Sequence, residues 1–473
     1  MRLLIECTFV YEHPDMNTGI QRVVRNIVSG LGDTRLPVQC IPVMLQRDQI
    51  HHVLSLAPLP AEARRSTIRG KGQWLLEQLD WLRKLSWRLH GAIERRWPFR
   101  AAMPLRRVLH FSFRAGNFFV VSLPTRILRR LVNRNGKPPP QRAVPLQIKA
   151  GDQLLWLDSS WHDDKLFPLV NRLKAQGVGI IPVIYDFIPL THPQFCDAGL
   201  TLLLDRWLEW IAEIADGFVA ISQTVSQQVE DELKRRIGAE AAARRWYRHF
   251  YLGSELDLRD HHSDAEPELK QLFDAPWPVY LMVGTIEPRK NHAYLLDAFE
   301  RLWSDGSEAR LCIIGMIGWK CSDLLERIRY HPQWGKRLFM FNQASDRSLE
   351  YAYAHARALV FPSHIEGFGL PLVEAMQRHL PVMASDIPVF REIGGDFVAY
   401  FDLANPDSLA TMIERFEQSG EFPATRTLSE WHWIGWPEAC KQLVDSVLDG
   451  LGSKPSTRAG LKPASTVPLA VAE

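Results

Sequence analysis

The feature that most constrains this chain is a repeated unit: a short apolar run, a polar or glycine-bearing turn, then a helix-like stretch. The apolar runs are DQLLWLD, VGIIPVIYD and GFVAIS in the first half, then PVYLMVG, ARLCIIG, RLFMFNQ, ALVFPSH and PVMAS. Runs of this length, bounded by turns and rich in branched residues, read as buried parallel strands. Their alternation with helices predicts an α/β protein with doubly wound parallel sheets, and ligand sites at the strand C-terminal ends.

One unit carries unusual chemistry. ALVFPSH leads into Glu366–Glu374, EGFGLPLVE, and then a helix opening near Pro371. Glycines at 367 and 369 let a backbone turn approach a ligand, and Phe368 and Leu370 lie within the same turn. Free N–H groups and the positive end of a helix attract phosphate oxygens, whereas Glu366 and Glu374 suit sugar hydroxyls. The pairing suggests a sugar joined to a phosphate, although two glutamates around a loop also describe an ordinary solvated loop. A second turn, Gly284 to Asn291, gathers Gly284, Thr285, Glu287, Arg289 and Lys290 at another helix start. Two cations there could neutralise a diphosphate, Arg as a fork and Lys as a point charge.

In the first half, residues 2–10 read as a strand, and Gly19 opens the amphipathic segment GIQRVVRNIVSGL. Ile20, Val23, Val24, Ile27 and Leu31 share one stripe of it. That start is either a second anion cradle or a plain helix N-terminus. Asp158, Tyr185 and Asp186 fall at strand ends, where carboxylates tend to be functional.

A length of 473 residues suits two domains. The boundaries expected are 1–253, a linker over 254–276, a second domain over 277–451 and a disordered tail over 452–473. Residues 61–142 interrupt the rhythm with 19 Lys/Arg against four acids, although the whole chain carries a net charge of only +2. Within them Leu75, Leu79, Leu82, Leu85, Leu89 and Ile93 share a helical face flanked by Trp74, Trp81 and Trp87. Such a segment either lies on an anionic membrane surface or packs on its own domain with a solvated basic side. No nucleic-acid-binding motif accompanies the charge, so nucleic acid is not expected as a partner. The six cysteines form no CxxC pair, and no apolar run reaches membrane-spanning length. The expectation is a cytoplasmic protein with reduced thiols.

Taken together, TGIQRVVRNI, VIYDFIPLTHP, the Gly284–Asn291 turn and EGFGLPLVE resemble the retaining family 4 glycosyltransferases, and in particular the mannosyltransferases that build bacterial O-antigens and exopolysaccharides. The resemblance implies the GT-B architecture: two facing Rossmann-like domains with a cleft between them, an N-terminal acceptor domain and a C-terminal nucleotide-sugar domain. It implies that Arg289 and Lys290 hold the donor diphosphate and that Glu366 contacts the transferred sugar. Backbone groups of Gly284, Thr285 and Gly367 to Leu370 would line the donor, Glu374 would hold the ribose, and Gly19 would admit the phosphate. Tyr185 and Asp186 would face the sugar or acceptor. Tyr185 replaces a histidine frequent in relatives, and Thr285 stands where many have arginine.

No DxD triplet occurs, so no metal or other cofactor is expected. The resemblance points to GDP-mannose as co-substrate, with UDP-hexoses, GDP-fucose and dTDP-rhamnose open. It also implies a lipid-linked or polysaccharide acceptor at the inner face of the cytoplasmic membrane. A catalytically silent sugar-nucleotide-binding or scaffolding subunit is the alternative, and a phosphorylase or epimerase on the same architecture is a third.

Overall fold

The computed structural model describes residues 1–14, 16, 19–33, 35–46, 48–57, 142–256, 264–342 and 344–453. The basic insert expected over 61–142 and the tail over 452–473 therefore lie, apart from their bordering residues, outside the described residues. So does the middle of the expected linker. The chain forms two compact units: Met1–Glu12, Met16–Ile50 and Leu146–Glu473 make one, and His13–Asp15 with His51–Pro145 the other.

In the smaller unit, β3 (Gln49–Val53) meets β4 (Ala143–Pro145) as an antiparallel pair, with His51 opposite Pro145 and Val53 opposite Ala143.

The larger unit holds two parallel sheets. The first contains β1 (Arg2–Glu6), β2 (Gln39–Gln46), β5 (Gln153–Trp156), β6 (Gly179–Ile184), β7 (Gly217–Ala220) and β8 (Trp246–His249), adjacent in the order β2-β1-β5-β6-β7-β8. The second comprises β9 (Val279–Val283), β10 (Arg310–Ile314), β11 (Leu338–Phe341), β12 (Ala358–Phe361), β13 (Val382–Ser385) and β14 (Ala399–Phe401), in the order β11-β10-β9-β12-β13-β14. In each sheet the first strand has its successor on one side and a later strand on the other. This topological switch, at β1/β5 and at β9/β12, leaves a crevice beyond the strand ends. β9, β12 and β13 are buried along their whole length, which is why they read as unbroken apolar runs.

Three boundaries differ from the sequence reading. The strand expected over 2–10 stops at Glu6, and Thr8–Glu12 is helical. The Glu6 carboxylate accepts the Thr8 N–H at 2.8 Å and that of Asp158 accepts the Val10 N–H at 2.7 Å, so two buried carboxylates turn the chain out of the sheet. Within the expected linker, Pro267–Phe273 is a helix belonging to the second half, with the Glu266 N–H bonded to Ser348 Oγ at 2.9 Å. The last helix, Trp436–Gly452, falls within the expected second domain over 277–451 but packs on the first sheet. Ser446 Oγ donates to the His249 carbonyl at 2.7 Å, and a Cβ at Gly450 would meet the Trp246 ring at 2.4 Å. β8 and β14, only four and three residues long, carry too little apolar pattern to have been recognised.

Candidate functional site

The second switch point carries the site. The chain leaves β9 at Gly284, and Ile286 is pinned by its N–H to the Met316 carbonyl at 2.8 Å. A single 3-10 turn, Pro288–Lys290, then presents the two cations, and Asn291 takes a left-handed conformation before the helix His292–Ser304. From β12 the chain runs through Ser363 to Glu366, and a bond from the His364 N–H to the Arg289 carbonyl at 2.8 Å ties the two loops together.

The expected catalytic trio is assembled. Glu366 Oε1 accepts Lys290 Nζ at 2.5 Å and Ser363 Oγ at 2.7 Å, while Oε2 accepts Arg289 Nη1 at 2.7 Å. Burial acts to raise the Glu366 pKa, but Arg289 and Lys290 outweigh it and hold the carboxyl down at about 2. For Lys290 the balance falls the other way. Burial lowers its pKa, and the pull of Glu366 is offset in part by the like charge of Arg289. Arg289 stays raised because Glu366, Glu287 and Asp186 together overcome its burial. Its Nε lies 2.6 Å from Glu287 Oε1, in an orientation that makes no hydrogen bond. Both Glu287 oxygens therefore lack a hydrogen-bond partner among the described residues.

The EGFG turn packs directly on the first half. A Cβ at Gly367 would sit 2.1 Å from the Tyr185 carbonyl, and the Gly367 carbonyl accepts Ser222 Oγ at 2.9 Å. Gly369 takes φ +102°, a conformation open to glycine, and the helix Leu370–Met376 begins there without a side-chain cap. The Phe368 side chain is buried near Tyr251 and Trp433, so only its backbone can serve a ligand. A Cβ at Gly284 would approach Lys290 Cε at 3.3 Å, a close fit beneath the lysine stem. Thr285 sits half-buried in the same loop.

The remaining expected residues are placed as follows. Asp186 Oδ1 accepts the Ile188 N–H at 3.0 Å; burial raises its pKa while Arg289 opposes. The Tyr185 hydroxyl is committed to the Leu157 carbonyl at 2.8 Å. Both residues line a cavity of about 260 Å³ together with Arg289 and Ile20. Gly19 is exposed, with open space where a Cβ would point. Glu374, expected to be available for ribose, has both oxygens engaged: one pairs with Arg22, the other accepts the Tyr353 hydroxyl at 2.8 Å. Sequence reasoning missed Arg22, Tyr353, Ser363 and the ion-pairing role of Glu287. Arg22 and Tyr353 reach Glu374 only through tertiary contact, whereas Ser363 and Glu287 lie within three residues of Glu366 and Arg289, so proximity in the chain could have flagged them.

Comparison with known proteins is consistent with this geometry. Residues 268–427 match the family described as glycosyl transferases group 1, a span that includes both loops. The serotype-specific mannosyltransferase WbdA of Escherichia coli is 34% identical over 317 residues, which are 64% of this chain and 38% of the relative. The O-antigen chain mannosyltransferase RfbU of Salmonella typhimurium is 32% identical over 140 residues, 29% of this chain and 38% of the relative. The chain thus spans well under half the length of these curated relatives. Among solved structures, sucrose-phosphate synthase of Thermosynechococcus elongatus superposes with a TM-score of 0.50 over 95% of this chain and 96% of its own, at 17% identity. Two parallel Rossmann-like sheets in that arrangement make a GT-B fold, whose second half is similar over residues 268–427 to the group 1 glycosyltransferases.

Proposed function

We propose that the chain is a retaining hexosyltransferase that moves mannose from GDP-mannose to a lipid-linked or polysaccharide acceptor in cell-surface polysaccharide assembly. The observation that carries this reading is the Arg289–Glu366–Lys290 cluster at the β9/β12 switch point. It holds two cations, Lys290 buried and Arg289 partly so, beside an uncapped helix start, with a second carboxylate at Asp186 acting on both. The mannosyl donor follows from the resemblance to mannosyltransferases of O-antigen assembly.

In this reading the donor diphosphate draws Arg289 and Lys290 toward its oxygens, and Glu366, released in part, accepts hydroxyls of the transferred sugar. The bond from the anomeric carbon to the phosphate oxygen breaks, with both electrons leaving on the diphosphate, where the cations stabilise the charge. The acceptor hydroxyl forms the new bond on the same face and passes its proton to the departing phosphate oxygen. Glu374 takes the ribose hydroxyls in exchange for Arg22, and no metal or other cofactor is invoked. Peripheral association with the inner face of the cytoplasmic membrane, against anionic lipid, belongs to the same proposal. Among the described residues no helix is long and apolar enough to cross a membrane.

A panel of sugar nucleotides, read by thermal shift and by nucleotide release, tests it. One donor should stabilise the protein and be hydrolysed slowly without acceptor. Stabilisation without any turnover, with or without saccharide acceptors, would favour a silent binding subunit instead.

A further inference from the structure

Glu374 and Arg22 come from opposite halves of the larger unit. Glu374 sits in the helix Leu370–Met376 that follows the EGFG turn, and Arg22 in the first turn of the helix Gly19–Asp33. Their ion pair lies largely out of water: the Glu374 side chain is 2% exposed and that of Arg22 15%. Arg22 reaches Glu374 through Nη2, while its Nε, shielded from solvent, has no hydrogen-bond partner among the described residues. The other carboxylate that acts on Arg22, Asp346, does so more weakly than Glu374. Glu374 is therefore the anion on which the Arg22 charge rests.

That arrangement limits what can follow when a ribose takes Glu374. Two hydroxyls satisfy the carboxylate but give nothing back to the guanidinium. A cation with so little access to water is costly to leave unpaired, so Arg22 must pass to another anion. The incoming donor brings one, a diphosphate whose oxygens suit the guanidinium fork. Ile20, two residues before Arg22, lines the same cavity as Arg289. The first turn of this helix thus borders both Arg289 and Glu374, the groups expected to hold the diphosphate and the ribose.

We propose that Arg22 is a third cation of the donor site, exchanged from Glu374 to the diphosphate as the nucleotide binds. When the bond from the anomeric carbon to the phosphate oxygen breaks, both electrons stay on the diphosphate, and Arg22 shares the added charge with Arg289 and Lys290. A nucleoside without phosphates would break the ion pair and offer Arg22 nothing, so the same contact selects for the phosphorylated nucleotide. The inference rests on the transferase reading above, with Glu374 as its ribose group, and adds to it a residue from the first half.

The test uses the whole protein and the nucleotide of the donor that the panel selects, comparing the nucleoside diphosphate with its nucleoside by calorimetry. Wild-type protein should prefer the diphosphate strongly. Arg22→Ala, checked for folding by its melting curve, should bind the nucleoside more tightly because Glu374 is freed. Its preference for the diphosphate should shrink at least about tenfold. Its kcat should fall about tenfold or more, and Arg22→Lys, which keeps the charge but not the fork, should recover part of each effect. An unchanged preference in folded Arg22→Ala overturns the proposal, as it would if the charge passed to Asp346 instead. Equal weakening of both ligands also overturns it, marking Arg22 as a structural partner of Glu374. Either outcome leaves the transferase reading standing where the wild type hydrolyses a donor. If Glu374→Ala leaves nucleoside affinity unchanged, the ribose role and the exchange fail together. Failure to bind or hydrolyse any sugar nucleotide overturns the transferase reading as well.

Discussion

The two sheets of the larger unit place carboxylates at equivalent points and treat them in opposite ways. At the β1/β5 switch point, Glu6 and Asp158 are buried side by side. Glu6 accepts the N–H groups of Thr8 and Asp158 at 2.8 and 3.0 Å, and Asp158 those of Val10 and Ser159 at 2.7 Å each. Burial, and then the Asp158 charge, push Glu6 up to about 7. At the β9/β12 switch point Glu366 is buried to a similar degree, yet Arg289 and Lys290 hold it at about 2. One topological feature thus yields two different devices. The first uses carboxylates as caps that bend the chain out of a sheet. The second holds two cations, Lys290 buried and Arg289 partly exposed, on a single carboxylate. Position in the fold creates the crevice; the residues that meet the carboxylate decide its use.

The sharpest way to break this comparison is to remove the charge at each point. Glu366→Gln and Lys290→Ala should each lower turnover by roughly a hundredfold or more. Glu6→Gln should instead act on stability, leaving turnover within a few-fold in protein that remains folded. A Glu6→Gln variant as inactive as Glu366→Gln, with an unchanged melting curve, would show that the first switch point takes part in chemistry.

Next in size is Glu374→Ala, which removes the group that Arg22 and Tyr353 now hold. Nucleoside diphosphate affinity, measured by calorimetry, should fall about tenfold or more, as expected for losing hydrogen bonds to a charged group. Affinity equal to wild type would take Glu374 out of the ribose role.

The two carboxylates should also give pH dependences of opposite sign. The folded pKa of Glu366 is depressed to about 2, so its contribution to stability is present above the usual carboxyl range and lost as pH falls toward that value. The folded pKa of Glu6 is raised to about 7, so its contribution is present at low pH and lost as pH rises toward neutrality. Melting temperature against pH should lose its acid-side slope in Glu366→Gln and its slope between about 5 and 7 in Glu6→Gln. Two variants with the wild-type profile would contradict the contrast.

The smallest effect expected is that of Gly367→Ala, whose Cβ would collide with the Tyr185 carbonyl. A loss of about 1–3 kcal/mol in unfolding free energy would measure how tightly the EGFG turn is seated on the first half. No loss would mean that the turn can lift from Tyr185 freely.

Much of this protein was legible in its sequence because the governing forces are local. Apolar runs such as VYLMV and ALVF can only be buried parallel strands in a βα alternation, and the glycines of EGFG mark a turn that a ligand or another backbone approaches. Arg289, Lys290 and Glu366 were also readable as a set, since each stands at the end of a strand adjacent to the switch. The roles expected of them came from the resemblance to a glycosyltransferase family, not from spacing alone.

Tertiary structure decided the rest. That Glu374 is held by Arg22 depends on two helices from different halves meeting, and nothing within either segment encodes the partner. That Trp436–Gly452 returns to the first sheet depends on Gly450 admitting Trp246 from nearly the other side of the sequence. Whether a buried carboxylate titrates near 2 or near 7 depends on the charges the fold brings beside it. The reason is the same in each case: sequence patterns report how a segment meets water and its near neighbours, whereas contacts between distant segments arise only when the sheets have packed.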